Sequence, residues 1–245
     1  MGPRRSVAYV LVAVLLAAAA PATAGTIAVP NASFESPTVP DALPYATPDM
    51  ASWHKTPLPA WWTYGAGAWN EAAGTFLNVP AQPIDNVDGN QAAFLFGTPD
   101  MGIYQDLTAT FRVGESYHLA LGVEGGGYGM PVGSPVTIIL YHGPYDDDDA
   151  SNYVGSATYL NTNTSGVLSH LHDVQLDIPT VTAGDAWAGQ TIGVQILATA
   201  DFGNMGGYWV LDNVQLTAAP EPASAALLSL GAIGLLGARR RRKRA

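Results

Sequence analysis

Asp212 is the residue whose chemistry is hardest to satisfy. In the run Tyr208-Trp209-Val210-Leu211-Asp212-Asn213-Val214-Gln215-Leu216 it shares parity with Tyr208, Val210, Val214 and Leu216. Side chains alternate across a strand, so this spacing puts a carboxylate on an apolar face. Such a group must be paired, metal-bound or placed at a rim. Pairing is difficult here. Outside two terminal segments the chain keeps only Lys55 and Arg112 as cations, against nineteen Asp and Glu. Two readings stay open: a site for a hard divalent cation, or a carboxylate that accepts backbone hydrogen bonds.

Other constellations compete for attention. Trp53, Trp61, Trp62 and Trp69 cluster early, with Tyr64 among them. Aromatic faces can stack on sugar C–H surfaces, and they can equally fill a core. Trp61 and Trp62 are adjacent, so on a strand they face opposite ways. Trp62 and Trp69 are the candidate saccharide contacts. His170-Leu171-His172-Asp173 puts two imidazoles on one strand face, but spacing places no third zinc ligand. Asp146 to Asp149 form a run of four carboxylates. It lacks the glycine and terminal glutamate of an EF-hand loop and reads as a solvated loop. No Gly-x-Ser-x-Gly, His-Glu-x-x-His or phosphate-cradling loop is present. No catalytic residue is assigned. Paired carboxylates for glycoside hydrolysis meet only in space, so spacing does not identify them.

The two ends have their own chemistry. Arg4 and Arg5 precede an apolar run from Val7 to Ala20, then Pro21 and Ala22-Thr23-Ala24. This is the layout of a secretory signal peptide over residues 1–24, cut by signal peptidase after Ala24. At the other end, Pro220-Glu221-Pro222 is followed by the apolar stretch Ala223 to Ala238 and a basic cluster from Arg239 to Arg244. A helix of that stretch spans about 24 Å, marginal for a bilayer core of about 30 Å. Snorkelling arginines extend its reach and hold the cluster on the cytoplasmic side.

This order of parts resembles the PEP-CTERM sorting signal. The resemblance makes residues 220–245 a tail of sorting motif (Pro220, Glu221, Pro222), transmembrane helix and arginine cluster. It implies an exosortase-type enzyme that reads the motif and removes the tail. It also implies transient anchoring in the inner membrane of a Gram-negative cell, then delivery to the surface or outside.

Between the signals, residues 25–219 amount to one domain. The domain has no cysteine, which excludes thiolate catalysis and cysteine-ligated metals. Its acidity repels nucleic acid and anionic lipid. Short alternating runs between turn signals predict an all-β sandwich. The predicted strands are Ala92–Phe96, Ile103–Leu107, Ser116–Val123, Val136–Tyr141, Asp173–Ile178, Thr191–Ala198 and Tyr208–Leu216. Residues 37–59 and 143–155 read as loops, and Gly125-Gly126-Gly127 as a mobile loop between strands.

Several short pieces resemble the galactose-binding-like jelly rolls that host carbohydrate-binding modules. They are Asn31-Ala32-Ser33-Phe34-Glu35, Asp88-Gly89-Asn90, Val113-Gly114-Glu115-Ser116-Tyr117 and Leu211-Asp212-Asn213-Val214. The resemblance implies a single antiparallel jelly-roll β-sandwich. Its first and last strands would lie together, bringing Glu35 near Asp212. It implies a structural Ca²⁺ there, with Asp88 as a third ligand. Calcium takes 6–8 oxygen ligands, so loop carbonyls would complete the shell. The function expected is non-catalytic: binding or organising exopolysaccharide. Two other classes stay open, a structural matrix protein without a small ligand and a polysaccharide hydrolase.

Overall fold

The computed structural model describes residues 24–62, 71–146 and 150–221. The expected signal helix and transmembrane helix lie outside them, as do Trp69 and Pro222. Among the described residues no helix is long and apolar enough to cross a membrane.

The described residues form twelve strands. They are β1 (Gly25–Ile27), β2 (Ala46–Thr47), β3 (His54–Lys55), β4 (Ala73–Leu77), β5 (Gln91–Phe96), β6 (Met101–Thr110), β7 (Glu115–Gly127), β8 (Pro135–His142), β9 (Tyr153–Leu160), β10 (His172–Ile178), β11 (Thr191–Ala198) and β12 (Tyr208–Pro220). Every pairing between them is antiparallel. One sheet runs β10-β7-β12-β5-β4-β2, with β1 beside β12. The other runs β3-β6-β11-β8-β9. This is the antiparallel β-sandwich that the alternation predicts, in the jelly-roll form that the resemblance implies.

The core lies where the inner faces meet. Leu119, Leu121 and Val123 of β7 and Trp209, Leu211 and Leu216 of β12 pack in one cluster with Ile103 of β6, Ile138 of β8 and Val194 of β11. A smaller apolar cluster joins Ile84, Ala92, Leu171 and Val210. It sits on the outer face of the larger sheet, where the loops before β5 and β10 lie down on the strands.

Three local expectations change. Gly125, Gly126 and Gly127 are the end of β7 and are buried, not a mobile loop. A Cβ on Gly125 would meet the Trp209 ring at 2.7 Å, and one on Gly127 the Tyr208 ring at 2.6 Å. These glycines exist to let aromatic rings lie against the strand. Residues 37–59 include the two short strands β2 and β3, and β9 starts inside the stretch read as loop at 143–155. Trp61 and Trp62 stand in a turn, with the Trp62 amide donating to the Pro59 carbonyl at 2.8 Å.

On the outer face of the smaller sheet Tyr141 is fully buried. Its hydroxyl donates to Asp106 at 2.6 Å, and burial together with that carboxylate holds the phenol far above its ordinary range. The ring lies over Gly193, where a Cβ would come within 2.0 Å of it. Gly193→Ala is therefore expected to lower stability by about 1–3 kcal/mol through overpacking, read as a fall of several degrees in thermal unfolding. An unchanged Tm would show that Tyr141 is free to move aside.

Candidate functional site

The Asn-x-x-Phe-Glu segment is folded by its own side chains. The Asn31 amide donates to the carbonyls of Ser36 (2.8 Å) and Ala51 (2.9 Å) and accepts from the Ser36 amide (3.0 Å). Phe34 is buried against Trp53, ring centroids 5.3 Å apart, and the Trp53 indole donates to the Asn31 carbonyl at 3.1 Å. Trp53 is thus core. This arrangement aims Glu35 at the Asp88-Gly89-Asn90 turn, where its Oε1 accepts from the amides of Asn90 (2.8 Å) and Gln91 (2.7 Å). Gly89 has φ +109°, and a Cβ there would meet Glu35 Oε1 at 2.5 Å.

Asp212 comes to the same turn from β12. The Asp88 amide donates to Asp212 Oδ2 at 2.5 Å, and the Ser33 hydroxyl donates to Asp88 Oδ2 at 2.6 Å. The fold therefore gathers Glu35, Asp88 and Asp212 around one turn. They do not converge on a single point. Among the described residues no three acidic or imidazole groups stand close enough to hold an ion as placed. Backbone amides hold Glu35 Oε1 and Asp212 Oδ2, and a hydroxyl holds Asp88 Oδ2. Asp212 Oδ1 is buried with no hydrogen-bond partner.

The parity of Asp212 needs correction. It does share a side with Val210, but that side is the loop-covered outer face. A bulge between Asp212 and Gln215, with Asn213 at φ 54°, turns the strand over. Val214 and Leu216 then face the main core. Asp212 is fully buried all the same, 0 % exposed. Burial pushes its carboxyl up to about 7, and the charges of Asp88 and Glu35 push the same way.

A second feature was not foreseen from the sequence. Glu124, 4 % exposed, stands on the outer face of β7 just before the glycine run. The Ser169 amide donates to both of its oxygens (2.9 and 2.8 Å) and the His170 amide to Oε2 (3.1 Å). Desolvation raises its carboxyl above the ordinary range, despite these bonds and nearby His172. Glu124 heads a cleft of about 270 Å³ walled by Tyr159, Thr162, Thr164 and His172. Asn161 and Asn163 build its wall. Asn161 donates to the Pro131 carbonyl at 2.9 Å, and Asn163 to the carbonyls of Gly125 (3.1 Å) and Val167 (2.9 Å). A glutamate directly ahead of three glycines was the available signal.

The remaining candidates are dispersed. His170 and His172 do lie side by side, ring centroids 5.5 Å apart, and the Asn86 amide reaches His170 Nε2 at 3.0 Å. Trp62 is half-buried against Phe96, while Trp61 is 41 % exposed and meets Phe202, 66 % exposed. Pro220 ends β12 and Glu221 follows it, both exposed.

Comparison with known proteins bears on both the domain and the tail. The family model described as HpiC1 cyclase matches residues 25–217. The model of the PEP-CTERM protein-sorting motif matches residues 218–242. Among solved structures, the chain is similar to a Stig cyclase, Fisc, from Fischerella sp. TAU, in complex with (3Z)-3-(1-methyl-2-pyrrolidinylidene)-3H-indole. Identity is 20 %, coverage 81 % of this chain and 100 % of that one, and the TM-score 0.59. A further cyclase from Fischerella sp. TAU is 18 % identical over 81 % of this chain and 99 % of its own, with a TM-score of 0.60. These likenesses show the fold. No curated protein matches the chain.

Asp212 yields a pH test. The folded chain holds this proton more tightly than the unfolded chain, whose carboxyl titrates near 3.8. Without divalent cations, stability should therefore fall as pH rises from about 4 to about 7, by on the order of 4 kcal/mol at most. Thermal unfolding in chelator should show Asp212→Asn gaining on the native chain across that window. Parallel curves would mean that the buried carboxylate is otherwise compensated.

Proposed function

The chain belongs to the HpiC1 cyclase-like family, and we propose that its domain binds an extracellular saccharide in the cleft headed by Glu124. The PEP-CTERM motif makes the chain an exosortase-sorted surface protein. One observation carries the ligand reading. A desolvated carboxylate held by two backbone amides through three contacts still has a lone-pair position to offer, and it lines the same cleft as hydroxyls, a phenol and an imidazole. Sugars present dense hydroxyl donors with an apolar C–H face. Glu124, Thr162 and Thr164 suit the first, and the rings of Tyr159 and His172 suit the second. A hydrogen bond to a charged group in such a cleft contributes about 1.5–3 kcal/mol. The shortage of cations in the domain disfavours anionic polymers, so the preferred glycan is neutral or amino-substituted.

A second reading is enzymatic, and two things favour it. The family and its solved relatives are named as cyclases. Glu124, its carboxyl raised by burial, stands near Tyr208, whose phenol is raised by its own burial and then by that carboxylate, and a carboxyl shifted in this direction is suited to donate a proton. The indole ligand of the Fisc complex would want an enclosed apolar wall. This cleft is open and lined by hydroxyls, which is why binding is placed first. No second carboxylate lines the cleft among the described residues, which argues against two-carboxylate hydrolysis.

Calcium belongs to the same proposal. Glu35, Asp88 and Asp212 would hold it, with Asp212 Oδ1 the oxygen now lacking a partner. The ion would supply structural charge neutralisation, allowing Asp212 to ionise without penalty. Added Ca²⁺ should raise Tm, by several degrees at about 100 times Kd, and Asp212→Asn should abolish the gain. No shift on chelation, with no bound metal by elemental analysis, would remove calcium from the reading.

For the ligand, a glycan array with the purified protein should find a neutral or amino-sugar polymer. Glu124→Gln and Tyr159→Phe should each weaken that binding about tenfold with Tm little changed. Trp62→Ala should leave it nearly intact. Loss of binding confined to Trp62→Ala would move the site to the tryptophan cluster. Product formation that Glu124→Gln abolishes would establish the enzymatic reading instead.

A further inference from the structure

The sorting motif is built into the sheet. β12 runs without a break into Pro220, and its last residues pair with the start of β7: Ala218 with Tyr117, Ala219 with Ser116, Pro220 with Glu115. The Glu221 amide then donates to the Gly114 carbonyl at 2.8 Å. The Ser116 hydroxyl adds a bond to the Ala219 carbonyl at 3.3 Å. On the other side of β12, Gly25 to Ile27 pair with Ala218 to Leu216. No linker separates the last strand from the first two residues of Pro-Glu-Pro. The strand end is also flanked by two concavities. One has Thr217 and Ala219 in its wall. The other is lined by Arg112, Glu115 and Pro220, among others. Arg112 is one of the two cations of the domain and lies 3.8 Å from Glu115.

A processing enzyme that reads a peptide in extended form does so through the backbone groups of that peptide. Here those groups are already committed: residues 218–221 offer one side to β7, and β1 closes the other side as far as Ala218. The sheet-bound and enzyme-bound forms of the motif compete for the same hydrogen bonds. The ladder is also weakest where it must open. Pro220 has no N–H to donate, so the bond from Glu221 is the last tie. Strand ends open locally at much less cost than the whole fold. We infer that the exosortase-type enzyme acts on this chain only after the end of β12 has peeled away from β7, so that the folded domain itself gates removal of the tail. This inference rests on the sorting motif and the strand pairing, and is independent of what the domain binds.

The chain has no cysteine, so an added pair forms the sole disulfide in an oxidising compartment. Paired antiparallel positions have Cα spacings of about 4.5–5.5 Å, within the range a disulfide tolerates. Ser116→Cys with Ala219→Cys would staple the strand end without touching the motif. In the host cell, with the full chain, the cross-linked form should keep its tail, read by mass spectrometry. The two single-cysteine chains should be processed like the native one, and reduction should restore processing of the double variant. Five Gly/Ser residues inserted between Ala219 and Pro220 should restore it even with the staple closed. That insertion also distinguishes gating from misfolding, since a misfolded domain would gain nothing from it. Loss of the tail from the stapled chain at the native rate would overturn the gate, as would an insert that fails to rescue.

Discussion

The bulge at Asn213 sets the orientation of the last strand and, through it, of both candidate sites. β12 lies at the centre of the larger sheet, with β7 along one side and β5 and β1 sharing the other. A strand with unbroken alternation cannot keep Trp209, Leu211, Val214 and Leu216 all in the core, because the parity changes between them. Asn213 in the left-handed region absorbs the change, a conformation asparagine tolerates better than most residues. The consequence is local and specific. Asp212 is thrown outward just ahead of the bulge, under the turn that begins at Asp88. The turn's backbone amide meets the carboxylate, while Glu35 ties down the following residues. In this way the bulge ties the N-terminal segment, the loop before β5 and the closing strand to one point.

The second constraint is charge. With nineteen acids and two bases in the domain, buried carboxylates cannot all be answered by ion pairs. The two salt bridges that use those bases, Lys55 with Glu71 and Arg112 with Glu115, lie toward the surface. Asp212 and Glu124 are left to backbone amides. Amide donors soften the cost of a buried carboxylate without cancelling it, which is why both groups hold their protons more tightly than usual. Each site therefore has an unspent capacity for a positive partner or a donor. At Asp212 it is a bare oxygen in an acidic neighbourhood, suited to a cation. At Glu124 it is an oxygen facing an open polar cleft, suited to a hydroxyl.

Alternation made seven of the eight longer strands legible, since one buried face imposes period two; the edge strand β9, with Gly155 and Ser156 inside it and no fully buried face, was missed. The short strands were not legible. β1, β2 and β3 have two or three residues each, too few for any period. β4 is Ala-Gly-Thr-Phe-Leu, weak in strand-forming residues at its start. The clustering of Glu35, Asp88 and Asp212 was legible only because their flanking words resembled a known jelly roll. The direction in which Asp212 points was not, because a bulge leaves no mark on residue spacing. Gly125 to Gly127 misled for a similar reason. Glycine signals loop by frequency, but here it signals space taken by the rings of Trp209 and Tyr208 and the side chain of Asn163. With the glycines read as loop, Glu124 lost the strand that positions it.

The length of β7 connects the two ends of this molecule. Its first residue, Glu115, pairs with Pro220 of the sorting motif. Glu124 stands nine residues further on, and at about 3.3 Å per residue that is roughly 30 Å along the strand. The cleft and the processed end are therefore separated by most of the length of one rigid element. If the chain is held at the surface through its C-terminal end, β7 carries the cleft outward from the point of attachment.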